Sequence, residues 1–253
     1  MPSEFSVEHD GDTIEFSKFI SKDSAQVSAI VVEPGDFPAC PICLERDPEA
    51  AEHVPPQSLG GRIMTSTCLR CNHDFGTAEE ELRRFLEMEV EVQAESSDGQ
   101  VKGRRAATVA LRSTEGRPPG AFVRTSAPEF NDVLNSGSSQ LTITPIDMPL
   151  LLTAALKHAY LAACLHQREV PTSDDVTRVR AVLLAARDRD RDALIAALPK
   201  VTFLAAPGWI EAADAPSVLL LEAPEDEPHW QFAFAGRFIL PWPFPDVLPR
   251  AAR

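Results

Sequence analysis

The sequence predicts an α+β protein built around a small metal-bound core, and three features of the chain support this prediction. Two Cys-x-x-Cys pairs, Cys40/Cys43 and Cys68/Cys71, are separated by 24 residues. Several short segments near them alternate polar and apolar residues, which is typical of strands. After Pro149 the apolar residues instead recur at helical spacing.

Length and charge limit the classes of protein to which the chain can belong. A chain of 253 residues can bury a sizeable core, and its composition is that of an ordinary globular protein. Lys and Arg number 24 against 38 Asp and Glu, which gives a formal net charge of −14. This balance opposes binding to nucleic-acid phosphates over most of the surface, because such binding depends on Lys and Arg.

The chain carries no recognisable export signal or membrane span, so we predict a cytoplasmic protein that does not bind a membrane. The first residues are polar and acidic, unlike a secretory signal. The most apolar window, residues 150–165, is interrupted by Lys157 and His158 and is expected to be too short and too charged to cross a bilayer. The five cysteines are an odd number, which favours metal ligation over a disulfide framework.

The first part of the chain is predicted to form strands, then the cysteine-rich segment, then a helix. Residues 13–20 and 26–33 alternate polar and apolar positions, and a turn leads from them to Cys40. The run Thr77-Ala78-Glu79-Glu80 is typical of a capping box with Thr77 as the N-cap. We therefore expect a helix from Thr77 onward, or one that begins near Asn72.

The remainder is predicted to be β-rich at first and mainly helical afterwards. Residues 90–111 predict a β-hairpin, and residues 121–125 and 141–146 predict further strands. Residues 150–167 are apolar nearly all round and predict a buried helix. The last part is expected to contain helices from 172 and over 193–198, strands over 201–204, 217–221 and 230–240, and an irregular proline-rich tail.

The two cysteine pairs predict a tetrahedral zinc site. Each Cys-x-x-Cys turns tightly, so that both of its sulfurs face one ion, and four thiolates suit Zn²⁺. Such a site is more often a structural support than a centre of chemistry. The fifth cysteine, Cys164, lacks a partner pair and is expected to be an inert core residue.

The residues around these pairs resemble the HNH endonucleases. The runs Glu52-His53-Val54-Pro55-Pro56 and Leu59-Gly60-Gly61 stand between the pairs, and Asn72 directly follows the last cysteine, with Gly76 four residues later. In order and spacing the segment is similar to the zinc-containing branch whose core reads EHVIP…LGG…CxxCNxxxG. The resemblance covers residues 40–86, about a fifth of the chain.

The resemblance implies a zinc-bound ββα-metal core and assigns roles to three residues. It implies that His53 is the general base that takes a proton from water, and that Glu52 and Asn72 hold a catalytic Mg²⁺ or Mn²⁺ ion. Oxygen ligands suit a hard ion, and imidazole accepts a proton readily at neutral pH. A structural His53 or Glu52, and an Asn72 that only caps a helix, stay open as alternatives.

The sequence departs from the family pattern in two places. The asparagine that often stands before the second pair and holds the catalytic histidine is absent from residues 62–67, so a backbone carbonyl or Thr65 would have to orient His53. His73 and Asp74 follow Asn72, and His73 is a further candidate ligand or phosphate contact. A solvent-facing position for His73 is the alternative.

One basic stretch is the candidate for nucleic-acid contacts. Between residues 100 and 125, six cations stand against Glu115 alone: Lys102, Arg104, Arg105, Arg112, Arg117 and Arg124. Such a stretch can create a local positive face on an acidic protein. A solvated surface hairpin is the alternative.

Three hypotheses for function agree with these features. The leading one is a metal-dependent endonuclease that nicks nucleic acid, with DNA as the expected substrate; a double-strand break would need a homodimer or two encounters. The second is a non-catalytic zinc module that docks a protein or a nucleic acid. The third is an effector within a larger complex, such as a bacterial defence or restriction system.

Four segments are expected along the chain. They are a β segment at 1–36, the HNH and zinc core at 37–90, a β-rich extension at 91–146 and a helical and β region at 147–253. The sequence gives no role for the last segment.

Overall fold

The fold of this chain combines helices and strands, which confirms the α+β class. The computed structural model describes residues 3–9, 12–18, 28–86, 89–96, 104–112, 120–125, 139–198, 204–205, 216–222, 230–235 and 238–250. The strands are β1 (Ser3–His9), β2 (Asp12–Lys18), β3 (Ser28–Val31), β4 (Ala50–Val54), β5 (Arg62–Thr67), β6 (Glu89–Ser96), β7 (Arg104–Arg112), β8 (Gly120–Thr125), β9 (Ser139–Thr144), β10 (Leu204–Ala205), β11 (Val218–Glu222), β12 (Trp230–Phe234) and β13 (Phe238–Pro241). The helices are α1 (Leu69–His73), α2 (Gly76–Leu86), α3 (Met148–Gln167), α4 (Asp174–Arg187) and α5 (Arg191–Ala197).

The chain forms two compact units. The first combines Met1–Glu79 with Leu152–Arg253, and the second is Glu80–Leu151. The first unit contains the β1-β2 and β4-β5 hairpins and an antiparallel sheet of order β10-β13-β12-β11-β3. The second contains an antiparallel sheet of order β8-β7-β6-β9.

The predicted hairpin over residues 90–111 is confirmed, since β6 pairs antiparallel with β7. Its predicted turn lies outside the described residues. The predicted capping box is wrong, because Thr77 is already the second residue of α2. Helical hydrogen bonding begins before it, since the Glu79 N–H donates to the Phe75 carbonyl at 3.0 Å. A separate short helix, α1, precedes it, because the sulfur of Cys68 accepts from the Cys71 N–H and starts a helical turn there.

The buried helix predicted over residues 150–167 is confirmed as α3. By length and composition α3 is apolar enough to cross a bilayer, which corrects the expectation drawn from its interrupted sequence. However, 78% of its apolar window is buried inside the protein, as in the core helix of a globular fold. Cys164 lies on this helix and is fully buried, as expected of a core residue.

An aromatic core connects α3 to the C-terminal strands and to the first cysteine pair. Tyr160 of α3 meets Phe244 edge-on, with ring centroids 5.7 Å apart. Its hydroxyl donates to the carbonyl of Pro41 at 2.6 Å. Phe232 and Phe234 of β12 are also fully buried. This core therefore fixes the cysteine-rich segment against the C-terminal part of the first unit.

Two glycines shape the connection between β4 and β5. Gly60 ends the short 3-10 turn Gln57–Leu59 with φ at 86°, in the left-handed region that suits glycine. A Cβ on Gly61 would lie 1.6 Å from the carbonyl oxygen of Pro55, so no larger residue fits there. The Leu59-Gly60-Gly61 run thus turns the chain back tightly and brings β5 alongside β4.

Candidate functional site

Four buried cysteine sulfurs form a compact cluster. Cys40 and Cys43 lie in the turn before β4, Cys68 caps α1, and Cys71 lies within α1. Their Sγ atoms all lie within 4.8 Å of one another, and those of Cys43 and Cys68 are 3.9 Å apart. Tetrahedral coordination with Zn–S bonds of about 2.3 Å would separate the sulfurs by roughly 3.8 Å. The cluster can therefore hold a zinc ion, as the spacing predicts.

The electrostatics of the cluster favour a cation. A hydrogen bond from the Cys71 thiol lowers the pKa of Cys40 to about 4. The same hydrogen bond, together with burial, raises the pKa of Cys71. Without a metal, then, one thiolate is stabilised at the expense of its neighbours. A divalent cation would allow all four sulfurs to carry negative charge, because metal binding displaces their protons.

Two arginines of α4 contact the cysteine cluster. Arg180 donates to the carbonyls of Ile42 at 2.9 Å and Cys43 at 3.2 Å. The Nη1 atom of Arg187 lies 3.8 Å from the sulfur of Cys71. Sequence analysis missed both contacts, because they join segments more than one hundred residues apart that share no motif.

Glu52 is a buried carboxylate that accepts hydrogen bonds on both oxygens. It lies on β4 and is only 2% exposed. Its Oε2 accepts from the Thr67 hydroxyl at 2.9 Å and from the Asn72 amide at 3.2 Å. Its Oε1 lies 2.7 Å from the ammonium of Lys157. The structure thus brings Glu52 and Asn72 together, and it adds Lys157, which the sequence did not predict.

Asn72 connects the cysteine cluster to β4. It follows Cys71 within α1, and its Nδ2 donates to the Ala51 carbonyl at 3.1 Å as well as to Glu52. A donor thus stands between two acceptor oxygens. Rotating the amide by half a turn would replace that donor with Oδ1, and a cation would then be needed among these oxygens. Two oxygen-bearing side chains suit Mg²⁺, which usually keeps several waters.

Thr65 adds a second polar side chain beside Glu52. It is the strand partner of Glu52, is 2% exposed, and its hydroxyl has no hydrogen-bond partner among the described residues. A buried unsatisfied hydroxyl costs about 1–3 kcal/mol and often marks a place for a water or an ion.

His53 is half-buried on β4, beside Glu52. Strand alternation buries Glu52 and Val54 and turns His53 toward the more open face. A register shift between Glu52 and His53 leaves Met64 of β5 as the extra residue of a β-bulge, a feature that redirects nearby side chains. Within the described parts of the chain, neither ring nitrogen of His53 has a hydrogen-bond partner. Thr65 does not orient this ring, because its own hydroxyl has no partner there.

Lys157 is the centre of a buried charged cluster. Its ammonium lies 2.7 Å from Oε1 of Glu52 and 2.7 Å from Oε1 of Glu79, and 4.9 Å from the ring centroid of Phe75. Nε2 of His158 lies 3.4 Å from the same Glu79 oxygen, an ion-pair distance without hydrogen-bond geometry. The one sequence signal for this cluster was the pair of polar residues that interrupts an apolar helix.

The two glutamates and the lysine reinforce one another electrostatically. Burial alone would raise the pKa of Glu79, but the Lys157 ammonium and the His158 ring outweigh burial and lower it to about 2. Burial would likewise lower the pKa of Lys157, yet Glu52 and Glu79 outweigh it and raise that pKa. Lys157 is therefore a charged ammonium inside the first unit.

The remaining predicted site residues are His73 and the basic stretch. His73 is exposed at the end of α1, as its solvent-facing alternative requires. The basic residues that the structure describes lie on neighbouring strands of the second unit: Arg104, Arg105 and Arg112 on β7, and Arg124 on β8. Lys102 and Arg117 lie outside the described residues.

Comparisons of the chain with protein-family models, with curated proteins and with solved structures give no match in any of the three.

Proposed function

We propose that this protein is a metal-dependent endonuclease of the HNH type that hydrolyses phosphodiester bonds, with DNA as its expected substrate. One observation carries the proposal: the amide of Asn72 lies 3.2 Å from the carboxylate of Glu52, directly beside the four-cysteine cluster. A plain zinc support needs neither residue. His53 follows Glu52 on the same strand, faces the more open side of it and is the candidate base.

In this proposal each residue has one task. The imidazole of His53 takes a proton from a water molecule, whose oxygen forms a new bond to phosphorus while one bridging P–O bond breaks. The leaving oxygen then takes up a proton from solvent. Glu52 and Asn72 would hold a Mg²⁺ or Mn²⁺ ion, which supplies positive charge to offset the charge that develops on the phosphate oxygens. The four cysteines would hold a zinc ion, which would fix the turn before β4 against α1.

A nicking assay tests this function directly. Purified, zinc-loaded protein should convert supercoiled plasmid to the nicked form when Mg²⁺ or Mn²⁺ is added, and His53→Ala should reduce the rate at least 100-fold without changing the melting temperature. His73→Ala is the matched control, because that histidine is exposed and twenty residues further along, and its rate should stay within about threefold of wild type. Wild-type rates in a folded His53→Ala variant would refute the mechanism.

One observation favours the non-catalytic zinc module instead. Both oxygens of Glu52 already accept hydrogen bonds, from Lys157 on one side and from Thr67 and Asn72 on the other. A carboxylate satisfied in this way can serve as structure alone, and the net charge of −14 agrees with a protein partner. This alternative predicts full zinc occupancy and no cleavage of DNA or RNA with any divalent ion.

A further inference from the structure

Lys157 is held at one fixed place by three groups. It is 1% exposed, its ammonium contacts Glu52 and Glu79 at 2.7 Å each, and the ring of Phe75 lies beneath it. Lysine side chains are flexible and are almost never buried without a partner. Here the burial leaves the side chain little freedom, so whatever it contacts is held in a defined position.

The contact with Glu52 divides the two oxygens of that carboxylate between different neighbours. Oε1 faces the ammonium, and Oε2 faces Thr67 and Asn72. Without the ammonium, the carboxylate could rotate about its last bond and exchange these contacts. An oxygen that must meet a metal in a defined geometry gains from being held in this way, since neighbours of metal ligands commonly change affinity 10- to 100-fold.

We infer that Lys157 is a positioning residue of the proposed nuclease site: its ammonium anchors Oε1 of Glu52, so that Oε2 stays beside Asn72, where a divalent ion would bind once the Asn72 amide turns its Oδ1 toward it. The inference rests on the proposed function, because it assigns Lys157 a task toward that ion. It also makes α3, which lies far from the Cys-x-x-Cys segment in sequence, part of the candidate site.

Glu79 provides the means to separate this task from simple packing. Glu79 contacts the same ammonium but not Asn72, so Glu79→Gln keeps the contact between Lys157 and Glu52. Lys157→Met removes that contact and leaves one buried and one partly buried carboxylate without the ammonium. The double variant Lys157→Met/Glu79→Gln also removes it, and it keeps the net charge of the wild-type cluster with one buried charge. The double variant therefore serves where Lys157→Met fails to fold.

The experiment measures Mn²⁺ in two ways on zinc-loaded protein: direct binding by electron paramagnetic resonance, and the Mn²⁺ concentration for half-maximal nicking. Lys157→Met and the double variant should each weaken Mn²⁺ binding about tenfold and raise the half-maximal concentration to match, while the rate at saturating Mn²⁺ stays within about threefold. Glu79→Gln should stay within about threefold of wild type in both.

Three results would overturn the inference. Equal effects of Glu79→Gln and Lys157→Met would reduce Lys157 to packing, and wild-type binding in the double variant would mean that only net charge matters. Tighter Mn²⁺ binding in Lys157→Met would mean that the ammonium competes with the ion for Glu52. A different result would refute only the proposed function: wild-type protein binds Mn²⁺, Glu52→Gln abolishes this binding, and DNA stays intact. The inference about Lys157 would then still hold for the ion.

Discussion

The first unit contains two clusters of opposite character: the four cysteine sulfurs, here the sulfur cluster, and the charged group around Lys157, here the oxygen cluster. They are joined through α1, because Cys71 belongs to the first and Asn72 donates to Glu52 of the second. The sulfur cluster takes all of its members from residues 40 to 71, whereas the cluster of Glu52, Glu79, Lys157 and His158 is completed by α3. The sulfur cluster can hold a metal cation, whereas the oxygen cluster contains its own ammonium. The comparison teaches that the short segment supplies the candidate ligands, while a distant helix supplies the charged surroundings of Glu52.

The strongest way to break the comparison is to remove the zinc. Cys68→Ser should lose zinc and the cooperative thermal transition of the first unit, because a structural zinc site contributes about 10 kcal/mol or more and whole domains are stable by only about 5–15 kcal/mol. Zinc content by mass spectrometry and melting by circular dichroism measure both effects.

The control for this prediction is Cys164→Ala. Cys164 is equally buried but lies on α3, outside the sulfur cluster. This variant should keep one zinc per chain and lose only modest stability. If Cys68→Ser melts like the control, the sulfur cluster does not hold the first unit together.

A second prediction tests the oxygen cluster through its pH dependence. The pKa of Glu79 is lowered from its ordinary value of 4.5 to about 2, so the ionised form is favoured by folding. The resulting stabilisation, on the order of 3 kcal/mol, is complete above pH 4.5 and is lost as the pH falls toward 2. The advantage of wild type over Glu79→Gln in the free energy of unfolding should therefore shrink below about pH 4.5.

The matched control for acid unfolding is Glu80→Gln. Glu80 is the next residue of α2, half-exposed, and pairs with Arg83 at the surface. Acid also releases zinc from thiolates, but wild type and both variants share that effect. The Arg83 hydrogen bond also lowers the pKa of Glu80, but solvent screens this exposed pair, so denaturant titrations at several pH values should show a much smaller pH-dependent difference for Glu80→Gln than for Glu79→Gln. Equal pH dependence in the two variants would contradict the assignment.

The smallest expected effect concerns how α4 contacts the sulfur cluster. Arg187→Met removes the guanidinium that lies 3.8 Å from the Cys71 sulfur, so zinc should pass to a chelator a few times faster. Arg178→Met is the control on the same helix, because Arg178 is 73% exposed and pairs with Asp175 one turn earlier. A colorimetric chelator assay compares the release rates. Equal rates for the two variants would show that Arg187 does not protect the ion.

Much of the sulfur cluster could be predicted because its geometry is local. A Cys-x-x-Cys turn brings two sulfurs together by itself, so the fold has only to bring two such turns into contact to complete the site. The proximity of Glu52 and Asn72 could be predicted for a similar reason, since only a short hairpin and the start of a one-turn helix separate them in the chain. The β-hairpin of residues 90–111 followed from alternation and turn residues alone.

The oxygen cluster could not be predicted, because 105 residues separate Lys157 from Glu52. Nothing in the spacing of α3 names a partner for its lysine. The available signal was physical: an ammonium on a helix that is apolar nearly all round must find a carboxylate when it is buried. The capping box at Thr77 failed because its N3 residue, Glu80, pairs with Arg83, and helical hydrogen bonding already begins at Phe75.

The buried ammonium has a consequence for how the protein is made. As the chain leaves the ribosome, all four cysteines of the cluster are available once Cys71 has emerged, but Lys157 follows Glu79 only after a further 78 residues. A nascent or truncated product that stops before α3 would keep every cysteine and yet leave Glu52 without its counter-ion. The cysteine-rich segment is therefore not expected to fold independently, and fragments for expression need α3 as well.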